Sequence, residues 1–134
     1  MEFSEAGFAY LAEHLASQGT VVASIDANFL STTLLDRSGG MGGADLARAL
    51  LPLEHLQAWQ QLATAGPLKG RVDLTKVALI GHSRGGEAVA VAAMLQPRDT
   101  VPGQEDVRLD YDVPIRSVVA LAPADGQFTA GGAK

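Results

Sequence analysis

The chain has no cysteine. Disulfides, thiolate nucleophiles and cysteine-ligated zinc are therefore excluded, although no compartment follows, since secreted and cytosolic proteins alike manage without the residue. Aromatic side chains make up only 5% of the 134 residues, so any core is filled by Ala, Leu and Val. No cluster of Lys or Arg occurs, and the net charge is −5. Nucleic acid and anionic membrane surfaces are poor partners for such a chain. No apolar run approaches the ~20 residues of a membrane span. The N-terminus, Met1-Glu-Phe-Ser-Glu-Ala6, lacks the basic and then apolar pattern of a signal peptide. Localisation stays open. What remains is 47% hydrophobic and 19% charged, a composition that builds a globular core rather than a disordered chain.

Phe8, Leu11, Ala12 and Leu15 recur at helical spacing, with Glu13 and His14 opposite, which predicts an amphipathic helix over about 4–17 stopped by Gly19. Thr20-Val-Val-Ala-Ser-Ile-Asp26 is a short β-branched run and reads as a buried strand. Residues 27–43, with Ser38-Gly-Gly-Met-Gly-Gly43, read as a flexible loop. A helical pattern returns over 44–65 through Leu46, Leu50, Leu53, Leu56, Trp59 and Leu62. Pro52 is expected to kink that helix or to begin a second one.

A second strand is expected over Lys76–Gly81 and a helix over Gly85–Leu95. That helix is apolar on nearly every side and so expected to be buried. Residues 96–114 read as a polar loop, Ile115–Ala122 as a third strand, and 123–134 as a Gly- and Ala-rich tail. Helix and strand alternate, which implies an α/β architecture with a largely parallel sheet in a single domain over 1–134.

The chemistry concentrates in Gly81-His-Ser-Arg-Gly85, a G-x-S-x-G sequence between an apolar strand and a helix, with Gly86 behind it. Such a turn presents Ser83 above the sheet edge and aims the Arg84 backbone N–H at a carbonyl oxygen under attack, as half of an oxyanion hole. The positive end of the following helix reinforces that N–H. The other reading is a Gly-rich turn that binds phosphate at a helix N-terminus. No Gly-Lys-Ser/Thr follows, however, and Gly40-Met-Gly-Gly-Ala-Asp45 has neither the spacing nor the preceding strand of a dinucleotide fingerprint. No cofactor or metal is expected.

Gly81-His-Ser-Arg-Gly-Gly86 has the form found in chlorophyllase-like enzymes. Together with Leu11-Ala-Glu-His-Leu-Ala-Ser-Gln-Gly19, Val21–Asp26 and Leu121-Ala-Pro-Ala-Asp125, it gives the chain a resemblance to α/β-hydrolase-fold serine esterases. The branch resembled holds the dienelactone hydrolases, chlorophyllases and cutinase-like polyester hydrolases. The resemblance implies an incomplete three-layer parallel-sheet fold, an internal segment of the whole, with about three strands and three to four helices. It implies ester hydrolysis through an acyl-enzyme on Ser83, with a small-molecule or polymeric ester as substrate.

It also implies partners that the chain lacks. In that family Asp or Glu and then His follow the serine, whereas His14, His55 and His82 all precede Ser83. His82 adjoins the serine and is expected to leave the turn in another direction; His14 and His55 are expected at the surface. Asp125 is a candidate acid, although the branch places its acid after the next strand. Asp26 ends a predicted strand, with a loop-shaping, N–H-capping role the better reading. Met41 and its glycines either border an acyl site or form a surface loop, and Asp36, Arg37 and Asp45 read as solvated charges. The strand that the family inserts between 20–26 and 76–81 is missing. Its absence predicts unpaired edges open to self-association. Two other readings stay open: a non-catalytic binding or interaction domain, and a part completed by another polypeptide.

Overall fold

The computed structural model describes residues 6–32 and 43–124. Two compact units divide between Gly39 and Gly40. The first contains helix α1 (Ala9–Ser17), an extended stretch and the short helix α2 (Asn28–Thr32). The second contains helix α3 (Gly43–Ala65), strand β1 (Val77–His82), helix α4 (Arg84–Leu95), strands β2 (Thr100–Val101) and β3 (Gln104–Arg108), and strand β4 (Ile115–Leu121). Helix and strand are mixed, and a small parallel sheet pairs β1 with β4.

In the first unit α1 ends where its glycine predicts. Gly19 has φ 88°, and the N–H groups of Gly19 and Thr20 return to the carbonyls of Ala16 and Leu15 at 3.0 and 3.2 Å. That pair of bonds is a Schellman closure, which needs the left-handed residue glycine supplies without strain. The predicted strand over 20–26 is not formed: residues 20–27 belong to no helix or strand. β-branched residues favour extended backbone, but a strand exists only through a ladder, and no described segment pairs with this one. Val21 and Val22, expected in a core, are 54% and 39% exposed. Asp26 fills the capping role, its Oδ1 accepting the Asn28 N–H at 2.8 Å as α2 begins.

In the second unit α3 runs through Pro52 as one helix of 23 residues, so the expected division into two helices does not occur. The proline removes one interior N–H, but the buried face on either side of it keeps its period. Leu46, Ala49 and Leu53 recur every three to four residues and pack with Ala92 and Leu95 of α4 and with Val101 and Leu109. Packing of this stripe outweighs the lost bond. Helix α4 is less deeply sunk than its all-apolar sequence predicts: Gly86, Ala88, Val89, Ala92 and Leu95 are buried, whereas Ala90 and Met94 are exposed.

The largest departure falls in 96–114, expected as a loop. Val101-Pro-Gly-Gln104 turns the chain back, with Gly103 at φ 77°, and β2 and β3 pair antiparallel on either side. Pro followed by Gly at positive φ is the residue pattern of a type II turn. Val101 is fully buried, and Leu109 and Val113 are nearly so, so three apolar residues anchor an otherwise polar stretch. The segment is tied to α3 as well. The Tyr111 hydroxyl donates to Glu54 Oε1, and Gln57 Nε2 donates to the Asp110 carbonyl at 3.2 Å. Burial first, and then the Glu54 carboxylate, push the Tyr111 phenol well above its usual range.

Two outcomes follow from this packing. Leu53 is 1% exposed, and Leu53→Ala is expected to lower unfolding free energy by about 2–5 kcal/mol in urea titrations; a change under ~1 kcal/mol would mean that the α3–α4 seam is not the core. In the ultraviolet difference between the wild type and Tyr111→Phe, no tyrosinate band is expected near pH ~10, where a free phenol ionises. The raised pKa means that this stabilisation is complete below pH ~10 and is lost as pH rises above it. A full tyrosinate band at pH ~10 would disprove the Glu54 tie.

Candidate functional site

Strand β1 and helix α4 are joined by a single residue, Ser83. Its backbone lies at φ 55°, ψ −125°, a region that side chains other than glycine's rarely occupy. The strain of such a conformation, about 1–3 kcal/mol, persists only where the surroundings over-determine it. Here they do. The Ser83 N–H donates to the Leu121 carbonyl at 3.0 Å, and the Ser83 carbonyl accepts from Gly86, Glu87 and Ala124 at 2.9, 3.3 and 3.0 Å.

Two glycines permit that closure. A Cβ on Gly81 would lie 2.1 Å from the Gly85 carbonyl oxygen and 2.9 Å from the Gly86 nitrogen, so strand and helix meet at a separation only glycine allows. A Cβ on Gly86 would lie 3.1 Å from both Cα and Cβ of Pro123. Gly85, the third glycine of the pattern, is different: a Cβ there meets nothing within 4 Å. A steric need for glycine thus exists at Gly81 and Gly86 and not at Gly85.

Ser83 is the N-cap residue of α4, where a serine oxygen ordinarily accepts a hydrogen bond from the first turn. It makes no such bond. The positive φ turns the side chain away from the helix it would cap. Its hydroxyl is exposed and, among the described residues, bonded to nothing. The backbone of this residue is thus fully engaged, while its side chain is available.

The other predicted residues scatter. His82 ends β1 and is exposed, as are His14 on α1 and His55 on α3. Within the second unit, neither His55 nor His82 hydrogen-bonds the Ser83 hydroxyl. Arg84 opens α4, which puts its backbone N–H at the helix start. Asp125 lies outside the described residues, as do Asp36, Arg37 and Ser38–Gly42. Asp45 is not a solvated charge: it pairs with Arg48 at 3.2 Å, and the Arg48 side chain is only 6% exposed. No group of three or more metal-capable side chains forms among the described residues. Neither principal cleft is lined by Ser83; the larger, about 270 Å³, lies among Gln96–Asp99 and Leu109–Asp112, at the opposite end of α4.

Sequence reasoning missed the brace across the turn. Leu121, Ala122, Pro123 and Ala124 hold Ser83 from the β4 side, with Ala122 at φ 42°, so that the chain bends to bring the Ala124 N–H to Ser83. The sequence carried no signal for that bend, since the residue before a proline favours extended backbone rather than the positive φ of Ala122.

Among known proteins, the chain is similar to the bis(hydroxyethyl) terephthalate hydrolase of Streptomyces coelicolor, with 33% identity over 93 residues. The likeness is distant. It takes in 69% of this chain but only 26% of the relative, so the chain spans about a quarter of that hydrolase's length. No protein-family profile and no solved structure matches.

The glycines and the serine separate cleanly in stability measurements. Gly81→Ala is expected to cost about 3 kcal/mol or more, because backbone meets backbone, while Gly85→Ala should be neutral or stabilising by up to about 1 kcal/mol. Ser83→Gly should be more stable than Ser83→Ala by about 1–2 kcal/mol, since only glycine relieves the positive φ. Equal urea midpoints for these last two variants would contradict a strained Ser83.

Proposed function

We propose that Ser83 is the nucleophile of a carboxylic ester hydrolase, carried on a partial α/β-hydrolase domain. The observation that carries this reading is the exposed hydroxyl, withheld from helix capping on a strained strand-to-helix turn. From such a turn a nucleophile gains reach and a fixed direction. The distant relative, named for hydrolysis of a terephthalate ester, supports the same chemistry.

In the proposed reaction Ser83 Oγ attacks the ester carbonyl carbon, its proton passing to a general base. The tetrahedral oxyanion takes a hydrogen bond from the Arg84 backbone N–H at the positive end of α4. Collapse breaks the carbonyl–alkoxy bond, and the base returns its proton to the departing alcohol. Water, deprotonated by the same base, then attacks the acyl-serine and releases carboxylic acid and free Ser83. No metal or cofactor enters.

The base in this reading is a histidine other than His14, His55 and His82, all of which precede Ser83 in the chain. It is supplied by a longer polypeptide or by a second one. The 134-residue chain alone is therefore expected to turn over esters weakly or not at all, since losing the base of a serine–histidine pair costs on the order of 10⁶ in kcat. The aromatic diester in the relative's name is the first substrate to test.

Two measurements divide the reading. Incubating the chain with p-nitrophenyl butyrate or bis(hydroxyethyl) terephthalate should give no saturable hydrolysis; turnover abolished by Ser83→Ala would refute the missing base. Extending the chain by its flanking coding sequence should restore labelling of Ser83 by a fluorophosphonate, lost in Ser83→Ala. Failure of the extended, folded protein to be labelled would leave Ser83 a packing residue.

A further inference from the structure

Arg48 is the one charged residue buried among the described residues, at 7% exposure. Its Nη1 pairs with Asp45 Oδ1 at 3.2 Å. A guanidinium taken out of water is costly, and an apolar side chain of similar size would fill the same space. Packing alone does not account for it.

Its surroundings do. Asp45 and Arg48 of α3 line one small cleft together with Arg84, Glu87, Ala88 and Val91 of α4. Two acids and two bases converge there, and Arg84 directly follows Ser83. The cleft holds about 10 Å³, no more than the room a single water requires, so it is a contact and not a ligand site. The apolar seam of Leu46, Ala49 and Leu53 runs beside the charged pair on α3 and meets Ala92 and Leu95 farther along α4. Toward the start of α4 that seam gives way to charge, at the turn where Ser83 stores its strain.

We propose that Arg48 is a positioning residue: with Asp45 it anchors the first turn of α4 through the charged cluster and so holds Ser83 at its positive φ. Strain at a helix start has an easy escape, because the first turn can unwind and let the N-cap return to ordinary backbone angles. A loose apolar contact tolerates that unwinding. A buried guanidinium facing the first turn of α4 does not, because unwinding would draw the Glu87 carboxylate out of the cleft they share. The proposal deepens the reading of Ser83 as a nucleophile and rests on it for its meaning, yet its test involves no ester turnover.

The test is residue-resolved amide hydrogen exchange on the 134-residue chain. The Gly86, Glu87 and Ala124 amides, all bonded to the Ser83 carbonyl, report the turn; the Gln96 amide, bonded to Ala92, and the Leu109 amide, bonded to Asp99, report the rest of the unit. In Arg48→Met the turn amides should exchange about tenfold faster relative to the other two, and Arg48→Lys should recover part of that loss. Uniform acceleration, or none, would overturn the proposal, since a merely structural arginine loosens the whole unit alike. Asp45→Asn, at a partly exposed partner, gives the same comparison if Arg48→Met does not fold: selective loosening of the turn upholds the proposal, and uniform loosening refutes it. Because ester hydrolysis is not read, failure here leaves the nucleophile assignment standing, and failure of labelling leaves the anchoring intact.

Discussion

The approach of β1 to α4 at Gly81 is the constraint on which the rest of the turn depends. A single methyl group there would stand 2.1 Å from the Gly85 carbonyl oxygen, so the strand and the start of the helix are as close as backbones can come. At that separation one residue must reverse the chain, and ordinary backbone angles cannot do so. Ser83 therefore takes φ 55°. The unusual angle is a consequence of close packing, and the liberated hydroxyl is a consequence of the angle.

Three elements share the work of keeping that arrangement. Parallel pairing of β1 with β4 runs to His82 opposite Leu121, which delivers the Leu121 carbonyl to the Ser83 N–H. The bend through Ala122 and Pro123 then delivers the Ala124 N–H to the Ser83 carbonyl, while Pro123 packs on Gly86. Helix α3 contributes the apolar seam that packs against α4, and the buried Arg48 with its partly exposed partner Asp45. Each contact is small, but together they outweigh the strain of one serine. The backbone of Ser83 is thereby fixed while its hydroxyl stays exposed.

The sequence made β1, α4, β4 and α3 legible because their apolar periods are long and uninterrupted, and it made the serine turn legible because glycine at fixed spacing has few other uses. It was silent on four matters, for identifiable reasons. The run 20–26 has strand composition, but pairing is a property of two segments, and composition reports one. The β2–β3 hairpin hid inside polar residues, although Pro102-Gly103 marked its turn and Val101 its anchor. Pro52 suggested a break that the packed stripe of α3 overrides. Asp45 read as a solvated charge, because its three-residue spacing to Arg48 shows that the two side chains can meet without showing that one of them is buried. The glycine pattern also could not tell Gly81 and Gly86, which close approaches require, from Gly85, beside which there is open space.

The central claim is that Ser83 is held in a left-handed conformation with its hydroxyl withheld from the helix it begins. Solution NMR of the 134-residue chain tests this most directly, through the intraresidue amide-to-α-proton distance and coupling at Ser83. The account predicts the short distance and the coupling of positive φ at Ser83, with ordinary helical values at Arg84. Negative φ at Ser83, with its Oγ accepting the Gly86 N–H as a common N-cap does, would contradict it.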